Sequence, residues 1–171
     1  MSRAFVNEDN DQPEELPEIP QSPNPGYITA AGLAGLKAEL ARLETVDRPP
    51  LETAIAGGGG EAGQAETELA RIRQRVKYLE ARIARAIVTD PAAAAPDHVH
   101  FGAIVTVRDQ SGHQMRVHIV GEDETDPEHN TVSCFSPLAR ALMTKQVGDI
   151  ALWRRPIGDL ELTVLAIEPG I

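Results

Sequence analysis

Leu69, Ile72, Val76, Leu79 and Ile83 recur at intervals of three, four, three and four residues, and Ile87 follows four positions later. This spacing lines apolar side chains along one narrow stripe of an α-helix, the seam by which helices pair in a coiled coil. Leu33, Leu36, Leu40 and Leu43 repeat the 3-4-3 pattern upstream, and Leu51 and Ile55 extend it past Pro49 and Pro50. Proline has no N–H to donate, so this pair must kink or interrupt the first arm. Between the arms stand Gly57, Gly58, Gly59 and Gly60. Glycine costs roughly 1 kcal/mol relative to alanine inside a helix, so four in a row end one. Two arms of about 28 residues, roughly 40 Å each at 1.5 Å per residue, predict an antiparallel helical hairpin over 28–90. A narrow stripe on each arm favours a projecting hairpin over a helix pair inside an ordinary bundle. Thr29 is the expected N-cap of the first arm.

The period changes after Asp90-Pro91 and Pro96-Asp97, whose prolines bracket a linker over 91–97. Alternating, β-branched runs predict strands at Phe101–Arg108, Met115–Val120, Thr131–Phe135, Ile150–Arg154 and Leu160–Ile167, with a turn at Gln110-Ser-Gly112. Ser136-Pro137 opens a helix, with serine as N-cap and proline at the first helical position. Residues 98–171 thus read as a small α+β domain, an antiparallel sheet with one helix packed on it.

Residues 1–27 form an acidic leader, with Glu8, Asp9, Asp11, Glu14, Glu15 and Glu18 interleaved among prolines. Sparse apolar residues predict disorder there. The formal net charge of the chain is -10, which argues against non-specific coating of nucleic acid, since neutralising phosphates needs a basic surface. A local exception is the second arm, with Arg71, Arg73, Arg75, Lys77, Arg82 and Arg85. These residues form a solvated helix face or a surface for nucleic acid, an acidic partner or the leader. A single cysteine, Cys134, excludes an intrachain disulfide and a four-cysteine metal site and fits a reducing, cytoplasmic setting. No run approaches the roughly 20 apolar residues of a membrane span.

Catalytic chemistry has little support. Ser133 and Phe135 beside Cys134 do not suggest an activated thiolate. His98 and His100 share a face of an extended segment, but no third ligand of clear spacing follows. The glycine run lacks the lysine of a phosphate loop and follows no strand. The acidic stretch Gly121-Glu-Asp-Glu-Thr-Asp-Pro127 lacks EF-hand spacing and reads as a plain loop.

The order of these parts is similar to a known family. A helical hairpin followed by Phe101-Gly-Ala-Ile-Val-Thr-Val107, Ile119-Val-Gly-Glu-Asp-Glu124, Ser136-Pro-Leu-Ala-Arg-Ala-Leu142 and Val147-Gly-Asp149 resembles the bacterial Gre transcript-cleavage and elongation factors. The likeness runs from about Tyr27 to Ile167 and includes Tyr27-Ile28-Thr29 and Arg48-Pro49 in the first arm. It implies an FKBP-like C-terminal domain that docks on RNA polymerase near the secondary channel, and a coiled coil that enters the channel. It also implies that Ser136, Pro137, Leu138 and Arg140 belong to the polymerase-contacting motif, and that nascent RNA or DNA lies within reach. In cleavage-stimulating members an acidic tip of Asp-x-x-Glu-Asn type helps hold magnesium in the polymerase active site. This chain has Gly60-Glu-Ala-Gly-Gln-Ala-Glu66 there, with no aspartate, and only Glu61 and Glu66 at the wrong spacing.

The expectation is therefore a monomeric, cytoplasmic regulator of RNA polymerase that has no catalytic residue or cofactor of its own and weak or no stimulation of transcript cleavage. Two other readings stay open on the residues: a coiled-coil adaptor for another protein, and a prolyl isomerase using Phe101, Phe135 and Trp153.

Overall fold

The computed structural model describes residues 16–90 and 97–170. The first half of the acidic leader and most of the proline-bracketed linker lie outside the described residues. The chain divides into two compact units: one holds residues up to Gln21 with Lys37–Arg82, the other Ser22–Leu36 with everything from Ile83 on. The division falls inside the two helical arms, not at the linker over 91–97, because the ends of the arms are built into the sheet-bearing unit.

In the first unit the helical arms carry the expected seams. Helix α1 (Ala30–Arg42) runs in from the other unit and passes into a π-helical turn at Leu43–Asp47, which leads into α2 (Arg48–Gly57). Pro49 and Pro50 therefore do not break the arm. They sit in the first turn of α2, and the wider π turn before them absorbs the missing N–H donors and the ring bulk. Helix α3 (Ala62–Ala84) forms the second arm. Leu43 on one arm and Ala65, Leu69, Ile72 and Leu79 on the other are buried, and Leu79 is wholly so. Arg75 donates to both carboxylate oxygens of Glu39 at 2.8 and 3.0 Å, which ties the arms together. The arginine beside the carboxyl holds Glu39 below its ordinary range.

Residues 16–21 of the leader, expected to be disordered, lie along α3 in this unit. Ile19 is half-buried, Gln74 donates to the Pro17 carbonyl, and Gln21 donates to the Tyr78 carbonyl at 3.3 Å. Lys77 pairs with Glu18. One apolar side chain, Ile19, supplies the burial that composition averaged over the whole leader had hidden.

The second unit begins with β1 (Gly26–Ile28), which pairs in parallel with β2 (Ala86–Val88). Ile87 is consequently not the last residue of a helical seam. The helix ends at Ala84, and Ile87 is an exposed strand residue. A five-stranded sheet follows in the order β5-β4-β3-β7-β6, from β3 (Ala103–Asp109), β4 (Gln114–Val120), β5 (Thr131–Ser133), β6 (Ile150–Trp153) and β7 (Leu160–Pro169). It is not purely antiparallel: β5 pairs with β4 in parallel. The 121–130 segment holds two 3-10 turns and brings Thr131 back beside His118, in the second half of β4, rather than reversing the chain in a hairpin. Alternate residues Ala103, Val105 and Val107 of β3 point into a core shared with Ile119, Leu162, Val164 and the short helix α4 (Pro137–Leu142).

Candidate functional site

The tip of the hairpin is built by glycine. Helix α2 stops at Gly57, and Gly58 takes φ 56° and ψ 134°, a conformation L side chains rarely adopt, while its N–H reaches the Ile55 carbonyl at 3.2 Å. The other three glycines have ordinary φ and open space around any added Cβ. The next turn closes with Ala62 N–H on Gly59 O and Ala65 N–H on Glu61 O, both at 3.1 Å. Glu61 and Glu66 are exposed. Five residues of helical rotation set them about 140° apart around the axis, so their carboxylates do not converge. They do not fit a shared divalent cation, which needs oxygen donors at nearly fixed distances. Among the described residues no three His, Cys, Asp or Glu side chains are placed to hold a metal ion. The two histidines are otherwise engaged, His98 with Asp97 at 2.7 Å and His100 with the Phe101 carbonyl at 2.8 Å.

The Ser136–Arg140 motif divides by direction. The Ser136 hydroxyl accepts the Ala139 N–H at 3.1 Å, so it caps α4. Leu138 is 5% exposed and belongs to the core with Ala139 and Leu142. Pro137 and Arg140 face solvent. Of the four residues expected to meet a partner, Pro137 and Arg140 are exposed, Ser136 is half-buried and Leu138 is buried. Cys134, just before, is buried, and burial pushes its thiol up, with the Glu122 and then the Glu124 carboxylate adding to the shift. That is the opposite of nucleophile activation.

The six basic residues of the second arm differ in burial and in partners. Arg71 pairs with Glu68, Arg75 with Glu39 and Lys77 with Glu18. Arg82 is 4% exposed, and Arg73 is exposed. Arg85, past the end of α3, donates to the Ser22 and Asn24 carbonyls at 3.1 and 3.3 Å. The aromatic candidates for an isomerase pocket are similarly occupied. The Tyr27 ring lies 6.2 Å from both Phe101 and Phe135, and Trp153 sits under Arg155.

Sequence reasoning passed over Glu124. Its carboxylate takes the Thr29 N–H at 3.0 Å, the Thr29 hydroxyl, and the Gly121 N–H at 3.1 Å. The available signal was Thr29 followed three residues on by Gly32, an N-cap without its usual acidic companion.

A family model described as the C-terminal part of transcription elongation factor GreA/GreB matches residues 94–169. The chain is 38% identical over 152 residues to the transcription elongation factor GreA of Maricaulis maris, covering 84% of this chain and 97% of that one. It is 36% identical over 157 residues to the transcription elongation factor GreB of Pseudomonas aeruginosa, covering 87% and 94%. The solved structure of GreA factor homolog 1 (Gfh1) of Thermus thermophilus is 25% identical, covers 83% of this chain and 97% of that one, and has a TM-score of 0.38.

Proposed function

The chain belongs to the GreA/GreB family of transcription elongation factors, and from that premise we propose that it binds RNA polymerase and modulates elongation without strongly stimulating transcript cleavage. The sheet-bearing unit, read as FKBP-like by its resemblance, docks on the polymerase through the solvent-facing Pro137 and Arg140. The hairpin is directed to the secondary channel. The protein works as a monomer in the cytoplasm, where its polymerase is, and brings no cofactor of its own. Cleavage, where it occurs, is the polymerase's reaction with its own magnesium.

One observation carries the reading on cleavage. Glu61, just before α3, and Glu66, five residues on, are the only carboxylates between Gly57 and Glu66, and both are exposed beside a glycine run with open space around it. A carboxylate that helps activate water on a metal must be held in register with it. Lys77 and Arg85 engage the 16–24 segment, so contact of the second arm with nascent RNA or DNA rests on Arg73 and whatever the leader releases.

Backtracked elongation complexes test the proposal. The protein is expected to compete with a cleavage-stimulating relative for the polymerase and to suppress its cleavage while producing little itself. Arg140→Glu is expected to abolish the competition. Strong cleavage by the wild-type chain overturns the account of the tip. Undiminished competition by Arg140→Glu overturns the docking assignment.

A further inference from the structure

Helix α1 opens with an N-cap that is only half complete in its own sequence. The Thr29 hydroxyl accepts the Gly32 N–H at 3.0 Å, the first half of a capping box. The second half needs a carboxylate three residues after the cap that reaches back to the cap residue's own N–H. That position is Gly32, which has no side chain. The carboxylate comes instead from Glu124, 95 residues away, with Oε2 on the Thr29 N–H at 3.0 Å and Oε1 on the Thr29 hydroxyl. A Cβ at Gly32 would overlap this carboxyl group, so the glycine is the vacancy into which Glu124 fits.

The same carboxylate also serves its own segment. Its Oε2 takes the Gly121 N–H at 3.1 Å, closing the 3-10 turn Glu122–Glu124. The turn is fixed in turn by the Thr131 hydroxyl on the Glu124 carbonyl at 2.8 Å. Around it, Asn24 donates to Glu122 at 2.7 Å, and Gly121 lies so close to the Tyr27 carbonyl that a Cβ there would collide with it. Thr29 is 5% exposed, so without Glu124 its N–H would be a buried donor with no partner. A negative charge at this end also suits the helix dipole.

We propose that Glu124 is a positioning residue: it completes the capping box of α1 from a distant segment of the chain and thereby fixes the start of α1 to the 121–124 turn within the sheet-bearing unit. A cap supplied locally would stabilise the helix equally well. A cap supplied from the 121–124 turn does so only when helix and turn are docked, so the first turn of α1 and the 121–124 turn form together. Through the proposed function above, Glu124 acts on elongation without touching the polymerase.

Moving the carboxylate separates capping from positioning. Glu124→Ala alone removes both. Gly32→Glu combined with Glu124→Ala returns a carboxylate to the local capping-box position, in the space the Glu124 side chain vacates, but leaves α1 unlinked to the turn. In hydrogen exchange on the free, full-length protein, Glu124→Ala is expected to reduce protection of the Thr29 amide at least tenfold. The double variant is expected to restore Thr29 while the Tyr27 and Ile28 amides of β1 remain at least tenfold less protected than in the wild type. In the competition assay the double variant is expected to lose at least tenfold in potency although it is folded. Wild-type protection of β1, or wild-type potency, in the double variant overturns the positioning role and leaves Glu124 a cap. If the wild-type chain itself does not act on polymerase, the proposed function fails, and hydrogen exchange alone decides the role of Glu124.

Discussion

Alanine substitutions along the glycine run should move stability in opposite directions at neighbouring residues. Gly57 ends α2 with no atom within 4 Å of an added Cβ, and Gly59 and Gly60 are equally open, with none of the three in the left-handed region. Alanine at Gly57 should gain about 1 kcal/mol as a better helix former. Alanine at Gly59 or Gly60 should gain roughly 0.4–1 kcal/mol each, chiefly by restricting the unfolded chain. The triple variant should therefore be stabler by about 2–3 kcal/mol. At 2–4 °C per kcal/mol for a chain of this size, its melting midpoint should rise by about 4–12 °C. Gly58 has the same open surroundings but φ 56°, where a Cβ meets its own backbone, and alanine there should cost about 1–2 kcal/mol or more. Thermal and urea unfolding followed by circular dichroism at the helical band would measure all four. Because the tip only turns the chain, the triple variant should still compete for polymerase. A Gly58→Ala protein as stable as Gly59→Ala would refute the assignment of the turn to Gly58 and, with it, the reading of the other three as replaceable.

Three further outcomes follow from named contacts. Glu39→Gln should destabilise the hairpin at neutral pH by at most about 1 kcal/mol, since the pair with Arg75 is half-exposed and partly screened; because the Glu39 pKa is lowered from 4.5, the wild-type advantage is complete above that value and disappears as pH falls below it, so paired unfolding curves should converge in acid. Cys134 should react with a thiol reagent only as the protein opens, with the reaction rate tracking denaturant, because the thiol is buried and its pKa raised; fast labelling of the native protein would contradict its place in the core. Ile19→Asp should free residues 16–21 from α3, shifting the NMR signals of Gln74 and Tyr78, whereas about 1 M salt, with a screening length near 3 Å, should loosen only the Glu18–Lys77 pair; unchanged Gln74 and Tyr78 signals in Ile19→Asp would show that the segment is not packed there.

The residues legible in sequence were those whose structure follows from neighbours. Leucine and isoleucine at 3-4 spacing demand a helical stripe whatever they pack against, and Ser136-Pro137 caps a helix by its own atoms. Alternation of small and branched residues likewise required β3, and the missing aspartate at the tip needed no coordinates. Other features depend on what distant segments bring. Pro49 and Pro50 sit within a continuous arm because a π turn precedes them, a backbone choice no local propensity specifies. Ile87 continues the 3-4 spacing yet leaves the helix, because pairing of β2 with β1 satisfies its backbone instead. The parallel β4–β5 pair follows from the path of the 121–130 segment, and charge counting cannot see the partners that basic residues of the second arm take in Glu18, Glu39 and the 22–24 carbonyls. Ser136 and Leu138 share a motif with Pro137 and Arg140, but only packing decides which side chains remain for a partner. Two helical seams, a glycine turn, a sheet-forming second half and a tip without its acidic pair are written in the order of residues, because each is a matter of local spacing. That Thr29 and Glu124 make one capping box emerges from the folded chain alone, because a hydrogen bond across 95 residues is specified by where the fold brings two groups together and by the empty space that Gly32 leaves between them.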